Sequence, residues 1–259
     1  MGEVTTQTLV LLACAAVLAG WVDAVVGGGG LIQLPAILLG VPGASPAQVL
    51  ATNKIASLGG TSVAATTYWR RLRPDARVVI PMAIAAYVGA IGGAFIGLHI
   101  PKQAFNPIVF VMLVAVGTWT LARPALGQAT SLRHQGARNV LGAVLIAFTI
   151  GGYDGALGPG TGSFLVIAFV GLLGYAFLDA SALARIANLA TNLGALTVFI
   201  PGGHVMWRVG LVMAAGNIVG GYLGARTALS RGTAFVRTLF IIVVAGFTVR
   251  IGGQLLGWW

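Results

Sequence analysis

Four charged residues stand in surroundings where charge is expensive. Lys54 lies in Leu50-Ala51-Thr52-Asn53-Lys54-Ile55 and Arg185 in Ala184-Arg185-Ile186-Ala187-Asn188, each several residues inside an apolar run. A cation within a membrane segment costs about 2.5–3.5 kcal/mol on insertion scales, so it needs a partner or a cavity. Two such fixed charges can receive an anion, or they can snorkel toward an interface on their long stems. Thr52, Asn53, Ser57, Asn188, Thr191 and Asn192 lie close by in sequence and can add neutral donors, or bond across helices for packing alone. Asp23 and Asp154 each adjoin a glycine cluster. A carboxylate at membrane depth can carry a proton or coordinate a cation such as Na⁺. It can equally cap a broken helix or pair with Lys54 or Arg185.

The clusters themselves are Gly27-Gly28-Gly29-Gly30 and Gly158-Pro159-Gly160-Thr161-Gly162. Gly costs about 1 kcal/mol and Pro about 3 relative to Ala inside a helix, so both clusters predict breaks. Broken backbone at membrane depth is tolerated only where protein or a watery cavity satisfies its polar groups. Short apolar segments follow, starting at Leu31 and Ser163. Their N-termini would present partial positive charge to an anion held between the clusters. Scattered glycines such as Gly89, Gly93 and Gly220 read instead as places where helices pack closely.

Composition supplies the setting. Hydrophobic residues make up 58% of the chain and charged ones 8%, against about 25% charged in ordinary soluble domains. Too few charges remain to coat a globule, so lipid must replace water around much of it. The net charge of +10 is spread between apolar runs and not gathered in one patch, which fits basic cytoplasmic loops and argues against nucleic acid. The single cysteine, Cys14, excludes disulfides and thiolate metal sites and reads as a small packing residue. His99, His134 and His204 have no metal-ligand spacing and read as solvated, Ser163 and Ser181 lack a nearby His, and no Walker A sequence is present. No cofactor or metal is expected. Met1 to Thr8 carries Glu3 and no Lys or Arg, so Thr5 to Trp21 reads as a retained membrane helix, not a signal peptide.

The elements that must position these residues form a repeat. Apolar stretches lie at about 5–22, 47–68, 78–99, 105–122, 138–153, 180–200, 207–227 and 234–256, most of them long enough to cross a bilayer. The pieces 31–41 and 163–174 are too short to cross comfortably, and can either cross or form re-entrant hairpins. An offset of 131 residues maps Asp23 onto Asp154, Gly27 onto Gly158, Lys54 onto Arg185 and Gly89 onto Gly220. Duplication gives halves at 1–127 and 128–259, the second including a cytoplasmic linker at 128–137. Each half has an odd number of crossings whether its short piece crosses or re-enters. Arg70, Arg71, Arg73 and Arg77 in one half have only His204 and Arg208 opposite them in the other, whereas Arg226, Arg231 and Arg237 face only Lys102. Basic loops on the cytoplasmic side then make the halves inverted and put both termini outside. The fold class expected is all-α: a polytopic membrane protein of two inverted-topology repeats with broken or re-entrant glycine-rich helices.

Asp23-Ala24-Val25-Val26-Gly27-Gly28-Gly29-Gly30-Leu31-Ile32, Leu50-Ala51-Thr52-Asn53-Lys54-Ile55-Ala56-Ser57 and Asn188-Leu189-Ala190-Thr191-Asn192 resemble the TauE/SafE family of sulfite and organosulfonate exporters. The likeness spans essentially the whole chain. It implies a bacterial inner-membrane protein moving small sulfur-containing anions such as sulfite or sulfoacetate. The residues themselves point to a secondary transporter, with Gly27, Gly28, Gly29, Gly30, Thr52, Asn53, Lys54, Ser57, Gly158, Gly160, Thr161, Gly162, Arg185, Asn188 and Asn192 on the substrate, and Asp23 and Asp154 coupling a proton or Na⁺. An anion channel on the same repeats is the alternative; a membrane enzyme or scaffold is a more distant one.

Overall fold

A computed structural model describes residues 4–99 and 129–255, all of them helix, turn or loop. The expected stretch at 105–122, with Lys102 and Arg123 beside it, falls outside the described residues. Every other stretch forms a helix: α1 Thr6–Val26, α2 Gly30–Gly40, α3 Pro46–Leu72, α4 Ala76–Gly97, α5 Ala137–Ala156, α6 Thr161–Ala168, α7 Phe177–Phe199 and α8 Trp207–Leu255. A π-helical turn at Phe169–Leu173 extends α6, and α8 is kinked at Gly232, where φ is 75°. Local signals fix the starts. Thr5 caps α1, Ser45 and Gln48 form a reciprocal capping box ahead of Pro46, and Asp75 caps α4.

α1, α4, α5 and α7 are long and apolar enough to cross a membrane. Large apolar side chains on the outside, among them Val10, Leu18, Ile84, Phe95, Leu145, Phe148 and Leu211, are exposed. In water such a surface would aggregate; in a bilayer it is the lipid boundary. Cys14 is on that exposed side, which corrects the reading of it as a packing residue. A small weakly polar thiol loses little by facing lipid, so its place in an apolar run did not distinguish core from boundary.

The short helices do not cross; they turn back. A Cβ added to Gly40 would come 3.1 Å from the Leu12 side chain and 3.2 Å from that of Thr8, near the start of α1. In the same way Gly142, early in α5, faces Leu173 at the end of the π turn. Each pair is therefore a hairpin that enters and leaves at one end of the bundle. One end gathers the arginine-rich α3–α4 loop, residues 132–140 and Tyr175–Asp179 around a cavity of about 500 Å³. The other packs Leu9, Ile37, Val41, Val49, Phe199 and Val209 into a closed apolar cluster.

Close helix approach runs through glycine. A Cβ on Gly220 in α8 would fall 2.0 Å from the Val17 carbonyl oxygen of α1, and one on Gly89 in α4 would fall 2.3 Å from that of Phe148 in α5. These contacts are one contact exchanged at the repeat offset. Gly20 against Asn217 and Gly151 against Ala86 exchange likewise, each at 2.6 Å. Without a side chain in the way the backbones meet directly, and dispersion replaces the hydrophobic drive that lipid removes.

Candidate functional site

Both helix breaks lie deep in the bundle and lock together. α1 ends at Gly27, whose φ of 92° an L-residue rarely adopts, and α2 begins three residues on. In the second half Gly158 and Gly160 take φ of 89° and 76° before α6 begins at Thr161. Ser163 N–H donates to the Gly27 carbonyl at 3.1 Å, and its hydroxyl donates to the Val26 carbonyl at 3.0 Å. The backbone freed at one break is thus satisfied by the helix start at the other. α2 and α6 both begin here, so their orphan N–H groups and positive dipole ends meet in the same space.

The four charges surround these breaks and pair crosswise. Lys54 on α3 donates to Asp154 on α5 at 2.5 Å, both side chains 2% exposed. The other Asp154 oxygen accepts from Thr161 at 2.6 Å. Arg185 on α7 is fully buried, with Nη1 3.2 Å from the Asp23 carboxylate, and it also donates to the Asp23 backbone carbonyl and, through Nε, to that of Ser181. The free Asp23 oxygen caps Gly29 N–H at 3.2 Å. Neither cation snorkels. The two pairs are related by the offset that relates Lys54 to Arg185 and Asp23 to Asp154. Asn192 and Thr61, 131 residues apart, bond directly to each other at 3.4 Å.

Between the breaks is a cavity of about 10 Å³, lined by Asp23, Gly27, Gly30, Asn53, Lys54, Ser57, Asp154, Gly158, Gly160, Thr161, Gly162, Asn188 and Asn192. That is room for about one water molecule. All of these residues were singled out in the sequence. Five others that were, Gly28, Gly29, Thr52, Thr191 and Arg185, do not line it. Thr52 accepts from Met206 N–H at 3.1 Å, toward the closed end. Arg185 sits behind Gly162, where a Cβ would meet its Nη2 at 2.8 Å. That nitrogen and Asn53 Oδ1 are buried without hydrogen-bond partners.

Sequence reasoning missed the supports. Gln33, almost wholly buried, accepts from Ser57 at 3.1 Å; a lone amide in the apolar run Leu31-Ile32-Gln33-Leu34 was the available signal. Tyr68 donates to the Ala24 carbonyl at 3.0 Å and Tyr153 to that of Pro159 at 2.7 Å, each steadying a break. Nothing in a single aromatic inside an apolar helix marks that role.

The Arg185 geometry makes a sharp expectation. Lysine offers one charged point where the guanidinium fork holds a carboxylate and two carbonyls together. Arg185→Lys should therefore lower stability by about 1.5–3 kcal/mol, the worth of a charged hydrogen bond. Thermal unfolding in detergent is the measurement, and an unchanged midpoint would refute the tethering role.

The family model "Sulfite exporter TauE/SafE" matches residues 12–251. "Probable membrane transporter protein ORF9" of Sinorhizobium sp is 34% identical over 252 residues, covering 97% of this chain and 95% of that protein. "Probable membrane transporter protein YfcA" of Escherichia coli K12 is 34% identical over 264 residues, covering 98% and 95%. A "Probable membrane transporter protein" of Haemophilus influenzae is 33% identical, covering 96% of each. No solved structure matches the chain.

Proposed function

The chain belongs to the TauE/SafE sulfite exporter family, as a multi-pass membrane transporter and not an enzyme, and from that premise we propose that it carries small sulfur-containing anions by alternating access. Sulfite, sulfoacetate and related organosulfonates are the substrate class. The site is the cavity between the two helix breaks. Lys54 supplies the charge that attracts the anion; the starts of α2 and α6, with Asn53, Ser57, Thr161, Asn188 and Asn192, supply shape and neutral donors. The coupling carboxylate is drawn from Asp23 and Asp154, the two acids at the breaks.

The single observation that carries this reading is the crosswise pairing of Lys54 with Asp154 and Arg185 with Asp23 around the breaks. It is what two antiparallel copies of one unit, 1–127 and 128–259, would produce on meeting about a shared axis. Exchanged glycine contacts support the same inverted arrangement. The arginine-rich end is then cytoplasmic, and both termini lie outside. Access is supported by the difference between the ends: one holds a cavity of about 500 Å³, and its counterpart is closed by Met206 on Thr52 and by apolar packing. With room for about one water, the central site describes an occluded state that must widen to admit an anion.

Two measurements test the proposal. Sulfite, sulfoacetate or methanesulfonate should raise the unfolding temperature of purified protein in proportion to occupancy, by about 2.7 kcal/mol of stabilisation at a hundredfold excess over Kd. In proteoliposomes the stabilising anion should show saturable counterflow. Carboxylates of equal size and charge stabilising the protein equally well would remove the sulfur-containing class; currents far above carrier turnover would replace the carrier with a channel.

A further inference from the structure

Resting on the reading just given, we propose that the two ion pairs have different tasks: Asp154 takes a proton and so releases Lys54 to the anion, while Asp23 is a fixed support for Arg185. The positions are equivalent by repeat, but their surroundings are not. Lys54 and Asp154 both line the central cavity, whereas Arg185 stands outside it. Arg185 is fixed to the Asp23 carboxylate, the Asp23 backbone and Ser181, and Asp23 also holds the first turn of α2 through Gly29. Opening that pair would release a helix cap and two backbone tethers at once. Among the described residues the one other hydrogen-bond partner of the Lys54–Asp154 pair is Thr161.

Charge forces the exchange. With both carboxylates ionised the four groups are neutral together, and an arriving anion would share Lys54 with Asp154 in a poorly screened interior. A proton on Asp154 Oδ2 removes that competitor. The ammonium keeps its three protons and turns to the anion, and the protonated carboxyl can donate to it. The other titratable groups facing the cluster do not compete: the hydroxyls of Tyr68 and Tyr153 are committed to backbone carbonyls. Na⁺ is the competing occupant of Asp154, and replacing it with choline separates the two. One proton therefore travels with each monovalent anion, in the same direction, leaving the site neutral both empty and loaded.

Methanesulfonate is a suitable probe, since its charge stays at −1 wherever an aspartate titrates. With wild-type protein in proteoliposomes, a pH dye inside should report one proton per methanesulfonate entering. Apparent affinity should fall about tenfold per pH unit on the alkaline side, and replacing Na⁺ with choline should change nothing. Asp154→Asn should lose the pH slope of the stabilisation that methanesulfonate gives the purified protein, and lose proton entry. Asp23→Asn, in whatever fraction assembles, should keep the wild-type slope. Anion entry without protons, or an intact slope in Asp154→Asn, would overturn the inference and leave the transporter reading standing. If Asp154→Asn does not assemble, the wild-type proton-to-anion ratio decides alone. Wild-type protein that moves neither methanesulfonate nor sulfite would remove both.

Discussion

Lys54→Gln should abolish anion binding in protein that is still folded enough to test. Among the described residues the ammonium is the one cation lining the cavity, so its loss leaves helix ends and neutral polar groups to attract the substrate. Removing one partner from a buried charge pair costs about 2–5 kcal/mol, which is on the order of 30- to several-thousand-fold in affinity. The complication is that Asp154 would then be buried without its cation, a further destabilisation of about 3–5 kcal/mol. Pairing the change with Asp154→Asn resolves this, because the amide keeps the Thr161 contact and restores neutrality. The double variant should unfold near the wild-type temperature and still show no stabilisation by sulfite or methanesulfonate. Near-wild-type affinity in the double variant would mean that the anion is held elsewhere.

The pairing behind that prediction shows where sequence reasoning stopped. Glycine runs, apolar lengths and the offset of 131 residues located the breaks and the helices, because these depend on local backbone cost and on chain repetition. They also located Lys54 and Asp154. What they left open was which acid meets which base. Lys54 is nearer in sequence to Asp23 than to Asp154, yet its partner is Asp154, 100 residues away. That choice follows from how the helices interlock, with Lys54 on α3 reaching α5 and Arg185 on α7 reaching the end of α1. The same interlocking decides whether a short helix crosses or doubles back. Parity treated both cases alike, and the contacts of Gly40 with Thr8 and Leu12 and of Gly142 with Leu173 distinguish them. Arg185 shows a subtler limit: equivalence by repeat suggested a second anion-binding cation, but its neighbours turn the charge into a tether.

The second large effect is expected at Gly27, where two independent physical costs coincide. Alanine there must adopt φ of +92°, and its Cβ would fall 2.2 Å from the backbone carbon of Gly162 and 2.3 Å from the nitrogen of Ser163. Backbone cannot rotate away as a side-chain tip can. Relief would need the two breaks to separate, losing the Ser163–Gly27 hydrogen bond and uncovering broken backbone at membrane depth. Gly27→Ala should therefore cost more than about 4–5 kcal/mol, seen as protein that does not assemble into a monodisperse species. Gly160→Ala separates the terms. Its φ is +76°, but its nearest neighbours are side-chain atoms of Phe164 and Leu31 at 3.3 and 3.7 Å, which can shift. Strain alone, about 1–2 kcal/mol, should lower its unfolding temperature without preventing assembly. Gly43, with nothing within 4 Å of an added Cβ, should accept alanine with little change. If Gly27→Ala behaved like Gly43→Ala, the interlocked breaks could not be the seam on which the two halves are held, and an occluded site between them would lose its physical basis.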